Sequence, residues 1–338
     1  MYFSMNDVTC SAYFCTLTPY PSPFERGGKS EHKHTIWFYS MWQELLKQMQ
    51  QGDIKALARC ISLVENEQPG YETLLRSLPV SSTKIIGITG PPGAGKSTLV
   101  DGLIGLLANN GKKVAVLCVD PSSPFNLGAL LGDRIRMSDW YTNPNVFIRS
   151  LATRGSMGGL HPKIIEITDV LKAFQFDNII VETVGVGQSE IEIAGLADVT
   201  VVVVVPEAGD EIQTMKAGLM EIADVFVVNK ADRPDADTFV KNLQLMMAPA
   251  FSKHYHEVPV VKTVASQKEG INELLDIITH QLQKSHLTDK TFWLLAERAF
   301  YLIEQKRMKG VDKVVLKKEI EACYQRGKFN LYQFIANK

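Results

Sequence analysis

The stretch GITGPPGAGKSTLVDGL, Gly87 to Leu103, decides the fold. Gly90 and Gly95-Lys96-Ser97 fit the pattern G-x-x-x-x-G-K-[ST], in which each part has a physical task. Gly90, Gly93 and Gly95 let the backbone bend so that successive N–H groups converge on phosphate oxygens, and the helix that follows adds its positive end. Lys96 is placed to reach the β- and γ-phosphates, and the Ser97 hydroxyl to ligate Mg2+. With Pro91, Pro92, Ala94 and Thr98 these residues form the expected phosphate cradle. The strand-like IIGIT before it and the helical STLVDGLIGLLA after it supply the context that the pattern requires. The loop implies a nucleoside triphosphate; it leaves open which one, and what its hydrolysis is for.

Outward from the loop, apolar runs and helical patterns alternate. Strands are expected at Lys84–Thr89, Lys113–Asp120, Asn145–Ser150, Asn178–Thr183, Val199–Val205, Val225–Lys230 and Pro259–Ala265. Helical stretches lie between most of them, among them Ser97–Asn109, Pro162–Phe174, Ile212–Ile222 and Ile271–Gln283. This alternation predicts an α/β fold, a P-loop NTPase with a mostly parallel sheet flanked by helices. Ligands of such sheets sit beyond the carboxyl ends of the strands, where the polar motifs of this chain fall.

Composition narrows the class. The chain has 338 residues, 45% hydrophobic and 22% charged, with a formal net charge of −1. That balance gives no electrostatic case for nucleic acid or a membrane surface. The longest apolar run, Val199 to Pro206, is far short of the roughly 20 residues that a membrane-spanning helix needs. Five scattered cysteines without a C-x-x-C argue against a disulfide framework and for a reduced, cytoplasmic setting.

Four segments are expected. Residues 1–40 are rich in Pro, Gly and charge and lack the parts of a signal peptide, so they read as a disordered extension or as the product of a misassigned start, with Met41 opening the first helical pattern. Residues 41–80 hold two short helices broken at Gly52-Asp53 and a third over Tyr71–Leu78. Residues 81–285 form the P-loop domain. Residues 286–338 form a helical tail whose Trp293, Phe300, Tyr301 and Leu302 need a surface to pack on, the core or a second copy of the chain.

The base is read at VVNKAD, Val227 to Asp232. A carboxylate at Asp232 accepts from guanine's ring N–H and exocyclic amine; adenine offers neither donor, and leaving a desolvated carboxylate unpaired costs about 1–3 kcal/mol. Asn229 and Lys230 complete the tetrapeptide, Lys230 lying along the base face. Ala265, Ser266 and Gln267, at the end of the last strand, line the base edge. The nucleotide is therefore guanosine triphosphate or diphosphate.

ETVGVGQSE, Glu182 to Glu190, puts a carboxylate at a strand end and Gly185 three residues later. These are the places for a water-mediated magnesium ligand and for a backbone N–H that senses the γ-phosphate. Gln188 either orients water or starts a helix. Asp120, ending its strand, is read as a magnesium- or water-directing group; Asp133 is as consistent with a helix cap or turn.

Together, GPPGAGKST, VDPSSP, GDRIRM, ATRGSMGGL, ETVGVGQSE, PEAGDEIQTMKAG and NKAD resemble the MeaB/ArgK family of G proteins from Met41 onward. The resemblance implies a dimeric GTPase that chaperones an adenosylcobalamin-dependent acyl-CoA mutase, mainly methylmalonyl-CoA mutase, gating cofactor delivery and protecting the mutase. It implies that Asp120, Asp133 and Glu182 join Ser97 around Mg2+, and that Gly209–Gly218, with Lys216, is a third switch. It also implies that the tail is the dimerisation element. Lys96, Asp120, Glu182, Gln188 and Lys216 are the catalytic candidates, Asp120 before Gln188 as the group directing water. Residues 1–40 have no counterpart in the family, and Pro91-Pro92 and Phe125-Asn126-Leu127 depart from its pattern.

Three other classes are weighed. A nickel-delivery G protein would need a Cys/His site, but Cys118 lies in an apolar strand and His254 and His256 have no cysteine near them. An ATP-dependent kinase linked to amino-acid transport conflicts with Asn229 and Asp232. A scaffold without turnover conflicts with the catalytic carboxylates. The basic segment Glu304–Lys318 interleaves acids and apolar residues and reads as a solvated helix face.

Overall fold

The computed structural model describes residues 41–120, 137–154, 160–183, 185, 189–207, 220, 222–247, 258–284, 289–327, 329–336 and 338. The first forty residues lie outside them. Seven strands are described: β1 (Lys84–Thr89), β2 (Val114–Asp120), β3 (Val146–Ala152), β4 (Asn178–Glu182), β5 (Val199–Val204), β6 (Val225–Asn229) and β7 (Val260–Thr263). They form one sheet in the order β3-β2-β4-β1-β5-β6-β7. Every pairing between them is parallel, which sharpens the expected "mostly parallel". All seven expected strands are present, β1 with the expected ends and the others with ends no more than two residues away. Six successive residues of β5 are buried, as an apolar run in a sheet covered on both faces demands.

β1 sits between β4 and β5, and the chain builds β2 to β4 on one side of it and β5 to β7 on the other. The crevice at its carboxyl end is thus the topological switch point, and the phosphate loop leaves β1 there.

Alternate side chains of each strand feed opposite faces. Ile86, Ile88, Val116, Ile180, Val201 and Val227 pack against helices that follow the phosphate loop and β7. Ile85, Leu117, Ile179 and Val181 pack against the helices of the other face. That second layer begins with α1 (41–50), α2 (Ile54–Glu65) and α3 (Tyr71–Arg76). Asp53 caps α2, its carboxylate accepting from Lys55 N at 2.7 Å and Ala56 N at 3.3 Å. The expected Gly52-Asp53 break is therefore a left-handed glycine, φ +89°, followed by a side-chain N-cap.

Helix α4 (Lys96–Asn109) follows the loop, and α5 (Ile164–Ala173) follows β3. Helix α6 (Ser189–Leu196) links β4 to β5, and α7 (Ala236–Met247) links β6 to β7. Helix α8 (Ile271–Lys284) follows β7, and α9 (Asp289–Met308), α10 (Lys313–Gln325) and α11 (Leu331–Ala336) close the chain. α10 and α11 bury none of their described residues. On α9, Phe292, Trp293, Phe300 and Ile303 are all at least half exposed. These four side chains are therefore uncovered within one chain, while Tyr301 and Leu302 are partly covered.

Candidate nucleotide site

The phosphate loop has the shape its glycines require. Gly90 takes φ +138°, and a Cβ there would collide with the carbonyl oxygen of Val203 on β5, so only glycine lets the loop turn this close to the sheet. At Gly93 an added Cβ would meet nothing within 4 Å: the cradle is open on that side. Gly95, at φ +89°, precedes the first residue of α4 and leaves that helix's N-terminal amides directed at the opening.

Lys96 is buried, 6% exposed, and its Nζ donates to Gly90 O at 2.8 Å and Pro91 O at 3.0 Å. The ammonium is thus held inside the arch of the loop, bonded to neutral carbonyls that phosphate oxygens outcompete as acceptors. Of the other cradle residues Pro91, Ala94 and Ser97 are buried, while Pro92, Gly93 and Thr98 face solvent.

Carboxylates gather beside the cradle. The Ser97 hydroxyl donates to Glu182 Oε1 at 2.6 Å, joining the start of α4 to the end of β4. Cys118 is in register with Glu182, so Asp120 stands two residues further along the adjacent strand. Asp120 and Glu182 are both buried, 7% and 5% exposed. Two buried carboxylates beside a serine hydroxyl form an all-oxygen set of the kind that suits a hard divalent cation. Beneath them the hydroxyls of Thr89 and Thr183 share a 2.9 Å hydrogen bond between the ends of β1 and β4.

Gly185 lies against the loop. It is buried with φ +82°, and a Cβ on it would run into Gly90 O and Lys96 Nζ. The structure therefore brings Gly185 onto the phosphate loop. Asp133, Gln188 and Lys216, and the whole of Gly209–Gly218, lie outside the described residues.

At the other end of the crevice Asn229, 2% exposed, makes three hydrogen bonds. Its Nδ2 donates to Ala94 O at 2.8 Å, and its Oδ1 accepts from Thr263 Oγ1 at 3.0 Å and Ala265 N at 3.1 Å. The sequence placed Asn229 with the base reader; the structure makes it the clasp between the phosphate loop, β6 and the turn after β7. Residues 90–97 and 229–232 consequently share one crevice. Lys230 is left-handed, φ +59°, which turns the chain at the strand end. Asp232, Ser266 and Gln267 are exposed, so Asp232 is desolvated only when a base covers it.

The structure adds a charged seam at the end of β3. Glu65, from the last turn of α2, receives Arg149 Nη2 at 2.7 Å and Arg154 Nη2 at 2.8 Å. His161, 2% exposed, accepts from Lys163 N through Nδ1 at 3.0 Å. Its proton therefore sits on Nε2, 3.9 Å from Glu65 Oε1. Burial pushes this imidazole down to about 4, against the pull of Glu65 and with help from Arg154, Lys163 and Arg149. The partners come from segments more than 80 residues apart, so no local pattern announces them. Cys118 is buried in β2 with its Sγ 3.9 Å from Met137 Sδ, a packing role.

Comparison with known proteins agrees with this geometry. The family model "Methylmalonyl Co-A mutase-associated GTPase MeaB" matches residues 57–318. A protein of Pyrococcus abyssi that carries a GTPase name is 45% identical over 295 residues, which cover 86% of this chain and 89% of that one. The fused isobutyryl-CoA mutase of Geobacillus kaustophilus is 35% identical over 256 residues, 71% of this chain and 24% of that longer protein. A solved structure named LAO/AO transport system kinase superimposes with a TM-score of 0.58 at 26% identity, covering 88% of this chain and 96% of its own.

Proposed function

The chain belongs to the MeaB family of GTPases, and from that premise we propose that it uses GTP binding and hydrolysis to chaperone an adenosylcobalamin-dependent acyl-CoA mutase. The observation that carries the nucleotide half is the Asn229 clasp, which ties the phosphate loop to the base-reading turn in one crevice. The observation that carries the partner half is the relative in which a segment like this chain is part of a fused acyl-CoA mutase.

In this reading the triphosphate lies along Gly90–Thr98, and Lys96 exchanges its bonds to Gly90 and Pro91 for bonds to the β- and γ-phosphates. Ser97, Asp120 and Glu182 fit Mg2+, with Asp133 joining them by family resemblance. Bound there, the ion would offset negative charge on the phosphate oxygens. The rest falls to the chain itself. Lys96 stabilises charge that develops as the γ-phosphoryl leaves, and the Gly185 N–H registers whether that group is present. Asp120 directs the attacking water, with Gln188 as the second candidate. Asp232 reads the guanine N–H groups, Lys230 covers the base face, and the Ala265–Gln267 turn borders its edge.

The partner is a mutase of the methylmalonyl-CoA or isobutyryl-CoA type, methylmalonyl-CoA mutase first. Gly209–Gly218, with Lys216, relays its state. Two chains pair through the uncovered apolar side chains of α9 to α11. None of the described helices is long and apolar enough to cross a membrane; we place the cycle in the cytoplasm.

The test is GTP turnover measured alone and with each purified mutase, with ATP as competitor. Hydrolysis of GTP that accelerates with one mutase, undisturbed by excess ATP, supports the assignment. Turnover indifferent to both mutases, together with no complex on a sizing column, overturns the chaperone role. Equal binding of ATP overturns the base reader.

A further inference from the structure

One side chain of the C-terminal region reaches into the GTPase core. Arg298, on α9, donates from Nε to Gly195 O at 2.9 Å and from Nη2 to Leu196 O at 2.5 Å. These are last-turn carbonyls of α6, which have no acceptor role within their own helix. A guanidinium there satisfies both and complements the negative end of the helix dipole. The socket is built from several elements: Asp169 of α5 and Asp198, after α6, both act on the Arg298 charge. Asp198 is itself fixed, accepting from Ile85 N at 2.8 Å and pairing with Lys84 at 3.4 Å.

Further along α9, Tyr301 lies under the influence of Glu192 on α6, and burial with that carboxylate pushes its hydroxyl up from the usual phenol range. At the far end Lys309 pairs with Glu67 at 3.5 Å and sits 5.7 Å from the centre of the Tyr71 ring. α9 is thus pinned to α6 near its middle and to the turn between α2 and α3 at its end.

The other end of α6 begins at Ser189, four positions after Gly185, which touches Lys96 and the phosphate loop. Eight residues of helix form a rod of about 12 Å, too short to absorb a displacement by bending. We propose that Arg298 couples α9 to α6, so that the C-terminal helix, and whatever its apolar face meets, follows the state of the nucleotide crevice. Arg298 is a positioning residue: it touches neither nucleotide nor the atoms that react. The coupling rests on the assignment of Gly185 as the phosphate-sensing amide, and the experiment separates the two.

Amide hydrogen exchange is measured on the full chain with GDP and with a non-hydrolysable GTP analogue, for the wild type, Arg298→Gln and Arg298→Lys. In the wild type both 182–196 and 289–308 are expected to exchange differently in the two nucleotides. In Arg298→Gln, 182–196 keeps its nucleotide dependence, 289–308 loses it, and nucleotide affinity is unchanged. Exchange at 193–196 rises roughly tenfold as the cap is lost. Arg298→Lys, which can still cap one carbonyl, restores part of the response and guards against a folding artefact. A nucleotide-dependent 289–308 in Arg298→Gln equal to that of the wild type overturns the coupling. So does a wild-type 289–308 that ignores nucleotide while 182–196 responds. A 182–196 that ignores nucleotide overturns the Gly185 assignment, and the coupling with it.

Discussion

The two faces of the sheet are built on different physics. The face that carries α4 and α8 is an unbroken apolar layer of Ile86, Val116, Leu99, Leu103, Ile104, Leu274 and their neighbours. The opposite face has an apolar centre too, but charge lines its margins. Glu65 gathers Arg149 and Arg154 at one margin, and Arg298 meets the α6 carbonyls among Asp169 and Asp198 at another. Apolar packing is non-directional and holds the phosphate helix in one place. Part-buried charge pairs are directional, and removing one partner leaves the other without the bonds it makes in the fold. The difference assigns the first face to holding the nucleotide still, and makes the second the one that responds to pH and to the C-terminal helices.

The largest expected effect falls on the first face. Lys96→Ala removes the one ammonium held in the phosphate loop while leaving the apolar layer intact. GTP turnover is expected to drop roughly 10²- to 10³-fold, the cost of deleting a preorganised charge at a transition state, with little change in thermal stability. A variant that instead unfolds would show that the loop's lysine–carbonyl bonds hold the face together, and the contrast between the faces would fail.

The next effect belongs to the second face. His161 is held neutral in the fold, near 4, against 6.5 when exposed. Below pH 6.5 the unfolded chain takes up a proton that the folded chain refuses. Stability is therefore complete above pH 6.5 and is lost as pH falls toward 4, by about 3 kcal/mol at most. His161→Asn keeps an acceptor for Lys163 N–H and removes the titration. Urea unfolding at pH 7 and pH 4.5 should show the variant losing less stability on acidification than the wild type. Equal losses would deny this face its pH sensitivity.

How much of this was legible in sequence follows the same division. The strands stood out because a run such as Val199–Val204 can only be buried on both sides. The phosphate loop and its carboxylates stood out because their chemistry fixes local spacing. Helix α7 went unmarked, although Phe239, Leu243 and Met247 recur on one side of it, because the polar RPDADT lead-in masks its start. Asn229 was placed correctly at the strand end, but its clasp on Ala94, 135 positions away, depends on a fold that brings β6 under the loop. The charged margins were invisible for the same reason: Arg149 and Glu65 are 84 positions apart. Local rules read periodicity and motif; they do not read charges that meet only after the sheet has closed.

A smaller effect is expected at the base end. Asp232→Asn exchanges an acceptor pair for an amide that presents a donor where guanine also donates. Preference should move from GTP toward xanthosine triphosphate by roughly 10- to 100-fold, the value of one or two hydrogen bonds left unmade. Because Asp232 is exposed without a base, stability should not change. A GTP to xanthosine triphosphate ratio equal to that of the wild type would remove the guanine assignment while leaving the phosphate site untouched.

The smallest effect tests whether polar contacts beneath the nucleotide site act as glue or as placement. Thr89 and Thr183 are both essentially fully buried and hydrogen-bond each other at 2.9 Å between β1 and β4. Replacing either one by valine leaves the other hydroxyl buried with its bond lost, at a cost of about 1–3 kcal/mol. Replacing both removes two polar groups together, and the pair of valines should pack at little net cost. If the bond is glue, the double variant should be at least as unstable as the worse single one. If it serves placement, the double variant should recover most of the stability of the wild type in urea unfolding, yet hydrolyse GTP more slowly, because Thr183 joins Glu182 to the segment that carries Gly185. The second outcome is the one expected. It would mean that on the face with the charged margins, too, the polar bond closest to the chemistry is there for geometry.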